Sequence, residues 1–452
     1  MPTLLVRNAA ILVTMDDAGR ELRDAGLFAR DGRIELVGAS DILPQTADEI
    51  IDLKDHVVIP GLINTHHHLY QNLTRVVPAG QNELLFGWLK SLYPIWARMG
   101  PEHIRVSALV GLAELALSGC TTASDHLYMF PNGARLDDEI SAARDLGMRF
   151  TATRGSMSIG ESLGGLPPDS IVEKPDAILK DCERVIAAYH DPAPLSMLRI
   201  ALAPCSPFSV SRELMRDTAA LAARHKVGLH THLAENAEDI AYSQQKFGMR
   251  PGQYAEECGW TGAHVWHAHC CVLDDAEISL FARTGTGIAH CPTSNMRLGS
   301  GIAPVRKMLD RGVKIGLGVD GSASNDCGDL LLEARMAMLA QRQGGNPAAL
   351  TARAALQIAT RGGAAVLGRG GEIGQLTPGF TADFAAYPLG AVAMAGTQWD
   401  AVAGLVFSAP HRAAYTVVNG RAVVREGRIA TIDLRETLAR HNVLARGLME
   451  EL

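Results

Sequence analysis

The sequence of 452 residues lacks the features that mark several large classes of protein. Charged residues make up 20% of it, no run of Lys or Arg occurs, and the formal net charge is −7. A mildly acidic chain of this kind is a poor candidate for binding nucleic acid or an anionic membrane. No stretch of about 18 uninterrupted apolar residues occurs, which argues against a membrane-spanning helix.

Cysteine is also scarce. The eight cysteines include no CxxC pair, and their spacing does not resemble a disulfide framework. The start of the chain, "MPTLLVRNAAILVTMD", lacks the basic segment and small-residue cleavage site of a signal peptide. We therefore expect free thiols in a reducing compartment and a cytoplasmic location.

What the middle of the sequence does contain is an alternation of short apolar runs with longer helical stretches. Seven runs have the length and apolar character of buried strands, at residues 56–66, 149–155, 198–204, 227–233, 264–270, 286–292 and 314–320. This alternation predicts βα units around a parallel sheet. Several runs end in His, Asp, Cys or Arg, as at the active-site face of a (β/α)8 barrel. An open flavodoxin-like sheet, the alternative, does not explain polar endings on nearly every strand.

The two ends of the chain have a different pattern. Residues 1–59 alternate between apolar and polar and carry turns such as "RDGR". The tail does the same, with "NG" and "EG" turns between residues 415 and 429. We therefore predict a small β-sandwich domain built from residues 1–59 plus 372–452, with a TIM-like barrel at 60–371 between them.

Three consecutive histidines, His66, His67 and His68, follow the first barrel run in "PGLINTHHH". Side chains alternate sides along a strand, so His66 and His68 share one side and His67 faces away. Two imidazoles on one side form a pair of potential metal ligands. The same spacing recurs at His230 and His232 in "GLHTHLAE".

These motifs, with "AHC", "CPTSNMRLGSG" and "GLGVDGSASND", resemble the amidohydrolase superfamily. The resemblance covers nearly the whole chain and is to the branch of deaminases and triazine hydrolases. It implies one divalent metal, zinc with iron or manganese as alternatives, held by His66, His68, His232 and Asp320. His232 is preferred to His230 because the branch has its catalytic Glu three residues after the ligand. It also implies a small heterocyclic substrate and an assembly of identical subunits.

The resemblance further implies three catalytic residues: Glu235, His269 and Asp320. A metal with an open coordination position lowers the pKa of bound water, and Asp320 accepts the proton. Glu235 protonates the ring nitrogen next to the attacked carbon, and His269 stabilises the developing oxyanion. Taken alone, Glu235 also fits an acidic residue at a helix N-terminus. A non-catalytic binding protein of this superfamily is the alternative for the whole chain, but such proteins usually lose metal ligands.

The substrate follows less directly from the sequence. Gln71 matches the guanine deaminase residue that contacts the purine edge, yet Pro207 and Phe208 replace the Arg-Phe pair of that family. Residues 86–96, 121–131 and the segment "PCSPFSV" most resemble the 8-oxoguanine deaminases. We therefore expect hydrolysis of 8-oxoguanine to uric acid and ammonia, with isocytosine-like rings as lesser substrates. Hydroxytriazine aminohydrolase and guanine deaminase are the alternatives.

Three further residues are candidates for contact with the substrate. Arg154 could bind a ring carbonyl or form a structural ion pair, His126 lies at a predicted strand end, and Cys205 could line the pocket as a small neutral group. Residues 69–100 are long enough to form a lid loop over the ring. Trp88 and Trp96, within that segment, suit packing or a place in the lid.

Overall fold

The structure, a computed structural model that describes residues 1–450, is built from parallel βα units and a second sheet. Within this range the strands are β1 (Thr3–Val13), β2 (Glu21–Arg30), β3 (Arg33–Ala39), β4 (Glu49–Asp52), β5 (His56–Pro60), β6 (Leu62–Asn64), β7 (Cys120–Leu127), β8 (Arg149–Ser156), β9 (Leu198–Pro204), β10 (Gly228–Leu233), β11 (Val265–His269), β12 (Gly287–His290), β13 (Lys314–Leu317), β14 (Phe384–Pro388), β15 (Tyr415–Val418), β16 (Arg421–Arg425) and β17 (Arg428–Ile429).

Most helices lie between the barrel strands or after them. In the same range they are α1 (Leu85–Trp96), α2 (Pro101–Leu117), α3 (Leu136–Leu146), α4 (Pro175–Tyr189), α5 (Arg212–His225), α6 (Ala237–Phe247), α7 (Pro251–Glu257), α8 (Asp275–Thr284), α9 (Pro292–Arg297), α10 (Val305–Asp310), α11 (Leu330–Arg342), α12 (Ala352–Gln357), α13 (Gly363–Val366), α14 (Ala401–Phe407) and α15 (Leu434–Glu450). None of the helices among residues 1–450 has the length and apolar character needed to cross a membrane.

Strands β6 to β13 close into an eight-stranded barrel in which every neighbouring pair is parallel. All residues of β7, β8, β11 and β12 are buried, because the barrel interior covers one side and the helices cover the other. Burial on both sides explains why these strands read as continuous apolar runs rather than as alternating patterns. The predicted (β/α)8 barrel is confirmed.

The run at 56–66 is not one strand, as the sequence predicted, because it breaks at Gly61. The part before Gly61 is β5, which belongs to the second sheet, and the part after it is β6, which belongs to the barrel. A Cβ atom on Gly61 would lie 2.0 Å from Thr121 Oγ1, so only glycine lets the chain pass between the two sheets here.

The strand predicted at 314–320 is also shorter than expected. It ends at Leu317, and Asp320 lies three residues beyond it with a φ of 63°. This left-handed backbone turns the carboxylate back over the barrel mouth, a strained conformation of the kind that concentrates at functional sites.

The small β domain from both chain ends is confirmed, and its strands form one mixed sheet where the sequence predicted a sandwich. Its order is β17-β16-β15-β14-β5-β1-β2-β3, with β4 paired to β1. A buried ion pair joins it to the barrel, since Arg149 Nε lies 2.9 Å from Asp383 Oδ2. Helix α15 packs on α2. The domain boundaries at 59/60 and 371/372 stay predictions.

The segment at 69–100, predicted as a loop, contains two short 3₁₀ helices and α1. Both of its tryptophans are buried and hydrogen-bonded. Trp88 Nε1 donates to Ala323 O at 3.0 Å, and Trp96 Nε1 donates to Thr74 Oγ1 at 3.0 Å. Trp88 therefore ties this segment to the loop after β13, whereas Trp96 joins two parts of the segment itself. Movement of the segment as a lid stays a prediction.

Candidate active site

Four predicted metal ligands converge at the carboxyl-terminal mouth of the barrel. His66 Nε2 and His68 Nε2 lie 3.2 Å and 3.4 Å from Asp320 Oδ1. His232 Nε2 lies 3.1 Å from His68 Nε2. His66, His68 and Asp320 are buried and His232 is partly buried. Burial lowers the pKa of each histidine, so the imidazoles are neutral and offer lone pairs.

Backbone carbonyls orient two of these rings. His68 Nδ1 donates to His126 O at 2.7 Å, and His232 Nδ1 donates to Cys205 O at 2.5 Å. Because Nδ1 carries the proton in each ring, the lone pair is on Nε2, which faces the cluster. Histidine ligands of metals are commonly oriented in this way.

His66 is oriented by a second histidine instead of a carbonyl. His230 Nδ1 donates to Trp266 O at 2.9 Å, so His230 Nε2 can accept from His66 Nδ1, 2.8 Å away. His66 Nε2 is then left unprotonated, and it has no hydrogen-bond partner among residues 1–450. This chain of hydrogen bonds therefore leaves a lone pair on His66 Nε2, which faces the cluster.

Asp320 is held by donors on α9 and on the loop after β13. Ser294 Oγ and Ser324 Oγ donate to Oδ2 at 2.6 Å and 3.2 Å, and Gly321 N donates to Oδ1 at 2.8 Å. Burial raises the pKa of Asp320, but the close approach of His66, whose Nε2 lies 3.2 Å from Oδ1, lowers it more, to well below its ordinary value. The group is therefore a carboxylate, as a metal ligand must be.

The spacing of these atoms fits a divalent cation. Ligand atoms about 2.0–2.1 Å from a tetrahedral zinc lie about 3.3–3.4 Å from one another. The three separations above, 3.1, 3.2 and 3.4 Å, are close to such edges. Two groups of possible ligand atoms each lie within 4.8 Å of one another. One group comes from His66, His68, His126 and His232, and the other comes from His66, His269 and Asp320.

Glu235 and His269 lie side by side at the edge of the cluster. Glu235 Oε2 is 3.5 Å from His269 Nε2, and Glu235 Oε1 accepts from Ser300 Oγ at 2.9 Å. Asn295 Nδ2 donates to His269 Nδ1 at 2.9 Å, which leaves the ring proton on Nε2. Burial raises the pKa of Glu235, so this carboxyl can carry a proton nearer to neutral pH.

A cavity opens above the cluster, between apolar and acidic walls. Its apolar and aromatic walls are formed by Leu85, Trp88, Leu89, Tyr93, Phe208 and Leu298. Glu235, Asp239 and Asp320 supply three carboxyl groups, and none of the described lining residues is Lys or Arg. Such walls suit a flat, uncharged ring with N–H donors and disfavour a ligand that carries a carboxylate or phosphate.

Two of the four predicted substrate-binding residues line this cavity. Gln71 lies against the loop after β13, where Ala323 N donates to its Oε1 at 3.3 Å. The Nε2 group of Gln71 makes one long contact, 3.4 Å, with Tyr70 Oη. Cys205 lies across the cavity, and burial raises the pKa of its thiol to about 12, so it is a neutral wall.

The other two do not line the cavity. Arg154 donates to Asp181 Oδ2 at 2.7 Å and to Glu173 Oε1 at 2.8 Å, which makes it part of a structural ion-pair cluster. His126 is stacked on His232 with ring centroids 4.8 Å apart, and its Nε2 donates to Ala203 O at 2.8 Å. We therefore remove both from the set of substrate-contacting residues.

His67 faces away from the cluster, as the alternation predicted, although it lies past the end of β6. Its Nδ1 is 4.0 Å from Asp125 Oδ1. Sequence reasoning missed Ser294, Asn295 and Ser300, which hold the catalytic groups. Their segment, "CPTSNMRLGSG", was a signal for the superfamily but gave no indication of which side chains turn inward.

Comparison with known proteins places this architecture in a family. The model of the Amidohydrolase family matches residues 57–423. An 8-oxoguanine deaminase of Pseudomonas aeruginosa is 46% identical over 450 residues, 98% of each chain. An isoxanthopterin deaminase of an unidentified prokaryote is 37% identical over 485 aligned positions, covering 100% of this chain and 98% of the relative. A crystal structure of atrazine chlorohydrolase TrzN from Arthrobacter aurescens, complexed with zinc, is 37% identical, with a TM-score of 0.92 over 98% and 100% of the two chains.

Proposed function

This chain belongs to the amidohydrolase family, and we propose that it is the hydrolytic deaminase of 8-oxoguanine, which it converts with water to uric acid and ammonia. The observation that carries the proposal is the cavity, with three carboxyl groups and no Lys or Arg among its described lining residues. 8-Oxoguanine is flat and uncharged and presents several ring N–H groups. The similarity to the Pseudomonas enzyme, over nearly the full length, supports the same substrate.

We assign the metal to His66, His68, His232 and Asp320, and we choose zinc. Three imidazoles and one carboxylate are a donor set that zinc accepts, and the atrazine chlorohydrolase relative was crystallised with zinc. When bound, the cation supplies Lewis acidity and lowers the pKa of a coordinated water.

The remaining chemistry belongs to side chains. Asp320 accepts a proton from the attacking water, and Glu235 delivers a proton to the ring nitrogen next to the amino-bearing carbon. The Nε2–H of His269 donates to the oxygen that gains negative charge. Gln71 can pair with the amide edge of the ring through its own donor and acceptor. Asp320 then passes the proton that it took from water to the amino group, which leaves as ammonia when the C–N bond breaks, and Glu235 regains a proton from the new hydroxyl as the carbonyl forms.

A hydroxytriazine aminohydrolase is the second candidate, favoured by the structural match to atrazine chlorohydrolase. The alkylamino groups of such a triazine would have to lie against the large aromatic side chains that line the cavity here, Trp88, Tyr93 and Phe208. The assembly of identical subunits implied by the resemblance stays a prediction.

Ammonia release from a panel of purines, pteridines, pyrimidines and hydroxytriazines tests the proposal. We expect 8-oxoguanine to give the highest kcat/KM and Glu235→Gln to abolish turnover while keeping the metal, because an amide cannot cycle protons. Faster release of an alkylamine from a hydroxytriazine would select the second candidate. Unchanged turnover in Glu235→Gln would remove Glu235 from the mechanism.

A further inference from the structure

Asp239, on the first turn of α6, is a cavity-lining carboxylate without an assigned role. Its side chain is 8% exposed, and it forms part of the cavity wall beside Glu235. Its Oδ2 accepts from Glu235 N at 2.8 Å. Its Oδ1 is buried and has no hydrogen-bond partner among residues 1–450.

The other two carboxyl groups of the cavity are already engaged. Both oxygens of Asp320 accept hydrogen bonds from loop donors, and Glu235 has Ser300 on one oxygen and His269 near the other. Asp239 thus differs from them in having one buried oxygen without a donor. A buried acceptor in this condition costs free energy until a partner arrives.

The N-terminus of α6 engages only one oxygen of the Asp239 carboxylate. The N-cap of α6 is Asn236, whose Oδ1 accepts from Glu238 N at 2.9 Å and from Asp239 N at 3.1 Å. Asn236 thus caps these two N–H groups, and the Asp239 carboxylate serves the backbone before the helix through Glu235 N. Burial, followed by the charge of Glu235, raises the pKa of Asp239 to about 7, which reflects the cost of this location.

We propose that the Asp239 carboxylate accepts a ring N–H of the substrate, the one separated by a single carbon from the ring nitrogen that Glu235 protonates. This inference rests on the proposed function. In 8-oxoguanine the nitrogen N3, next to the amino-bearing carbon, is separated by one carbon from N9–H. Glu235 would face N3, which accepts a proton, and Asp239 would face N9–H, which donates a hydrogen bond.

The same pair of groups occurs in isoxanthopterin, the substrate named for the second relative. Its aminopyrimidine ring is fused to a lactam whose N–H occupies the corresponding position. Isocytosine keeps the aminopyrimidinone ring but has a C–H there. Asp239 is thus a specificity-determining residue that favours a fused ring with this N–H over a single ring.

The test compares Asp239→Asn with Glu238→Gln, a matched control on the exposed side of the same turn. An asparagine can still accept from Glu235 N, but its amide then presents a donor to the substrate N–H. We expect kcat/KM for 8-oxoguanine to fall about tenfold to a hundredfold in Asp239→Asn. Isocytosine, measured as a substrate or as a competitive inhibitor, should change little, and bound metal and the unfolding midpoint should match the control.

The outcomes separate this inference from the proposed function. If the native enzyme turns over 8-oxoguanine and Asp239→Asn weakens both compounds equally, Asp239 acts only by holding the Glu235 backbone, and the inference is wrong. Undiminished kcat/KM on 8-oxoguanine in Asp239→Asn also overturns it. If the native enzyme ignores 8-oxoguanine but deaminates another ring, the proposed function fails first, and the inference with it.

Discussion

The His-x-His spacing occurs near the ends of two barrel strands, and the two copies have different roles. In the first copy both rings reach the cluster, since His66 and His68 each place Nε2 within 3.4 Å of Asp320 Oδ1. In the second copy His232 reaches the cluster, but His230 donates to a backbone carbonyl and supports His66 from behind.

The difference follows from where each strand ends. His230 and His232 both lie inside β10, where residues two apart face the same side but are about 7 Å apart along the strand. His230 is therefore one layer deeper in the barrel. β6 ends at Asn64, so the first pair lies beyond the regular strand at the barrel mouth, where His66 O and His67 O still accept from Asp320 N and His126 N and both rings reach the cluster. The spacing of two histidines decides which side of the strand they face, and their position relative to the end of the strand decides whether they reach the cluster at the barrel mouth.

The largest expected effect is the loss of a direct ligand from either copy. His66→Ala or His232→Ala removes one of the converging donors, and we expect bound metal to fall to a small fraction of one equivalent. Since the cation is worth several kcal/mol of transition-state stabilisation, kcat/KM should drop on the order of 10³-fold or more. Metal analysis and ammonia release measure both. A full equivalent of metal in either variant would contradict the ligand assignment.

A smaller effect is expected from the supporting member of the second copy. His230→Ala leaves the donor set intact but frees His66 to rotate, so metal affinity should fall about 10–100-fold, with activity returning at high metal concentration. His230→Gln should recover part of the affinity, because an amide oxygen can accept from His66 Nδ1. Metal titration in the presence of a competing chelator measures this. A loss as complete as that of His232→Ala would make the two histidines equivalent.

The barrel and the shared side of each histidine pair could be predicted from local periodicity, whereas the choice of His232 over His230 and the assignment of Asp320 came from the resemblance to the superfamily. Alternation within a strand fixes the side of each residue, and the barrel brings strand ends together. The break at Gly61 was hidden because the apolar run continues unchanged from one sheet into the other. The requirement for glycine there comes from Thr121, which is distant in sequence.

The environments of Arg154 and Asp239 could not be predicted from the periodicity of the sequence. Both positions depend on the direction of a side chain relative to a neighbouring helix or loop. Arg154 lies within β8 near its end, yet acidic residues in α4 and just before it capture its guanidinium. Asp239 resembles an ordinary acidic residue in the first turn of a helix until the cavity beside it is seen.

A histidine at the end of a third barrel strand, His290, is expected to make the free energy of unfolding depend on pH. His290 ends β12, is fully buried, and has no hydrogen-bond partner for either ring nitrogen among residues 1–450. Burial, with a small contribution from His269, lowers its pKa from 6.5 to about 3. The unfolded chain therefore takes up a proton near pH 6.5 that the folded chain resists, and the free energy of unfolding falls as the pH drops.

Replacing His290 by leucine should remove this contribution. From about pH 7 to about pH 5, the unfolding free energy of His290→Leu should gain about 2 kcal/mol relative to that of the native protein. Bound metal should stay at the native level, because the ring does not belong to the cluster. Denaturant unfolding at several pH values, with metal analysis, provides the measurement. A constant difference between the two proteins would mean that His290 titrates alike when folded and unfolded.

The smallest effect is expected from replacing His67, which lies between the two ligands His66 and His68. His67 faces away from the cluster toward Asp125, and neither of its ring nitrogens has a hydrogen-bond partner among residues 1–450. His67→Leu keeps a similar volume, so we expect native metal content and little change in kcat/KM, although the residue lies between His66 and His68. Metal analysis and turnover on 8-oxoguanine measure this. Metal loss equal to that of His66→Ala would show that the three rings do not alternate. The rule that spacing decides which side a histidine faces would then be wrong for the three consecutive histidines, where it is tested most directly.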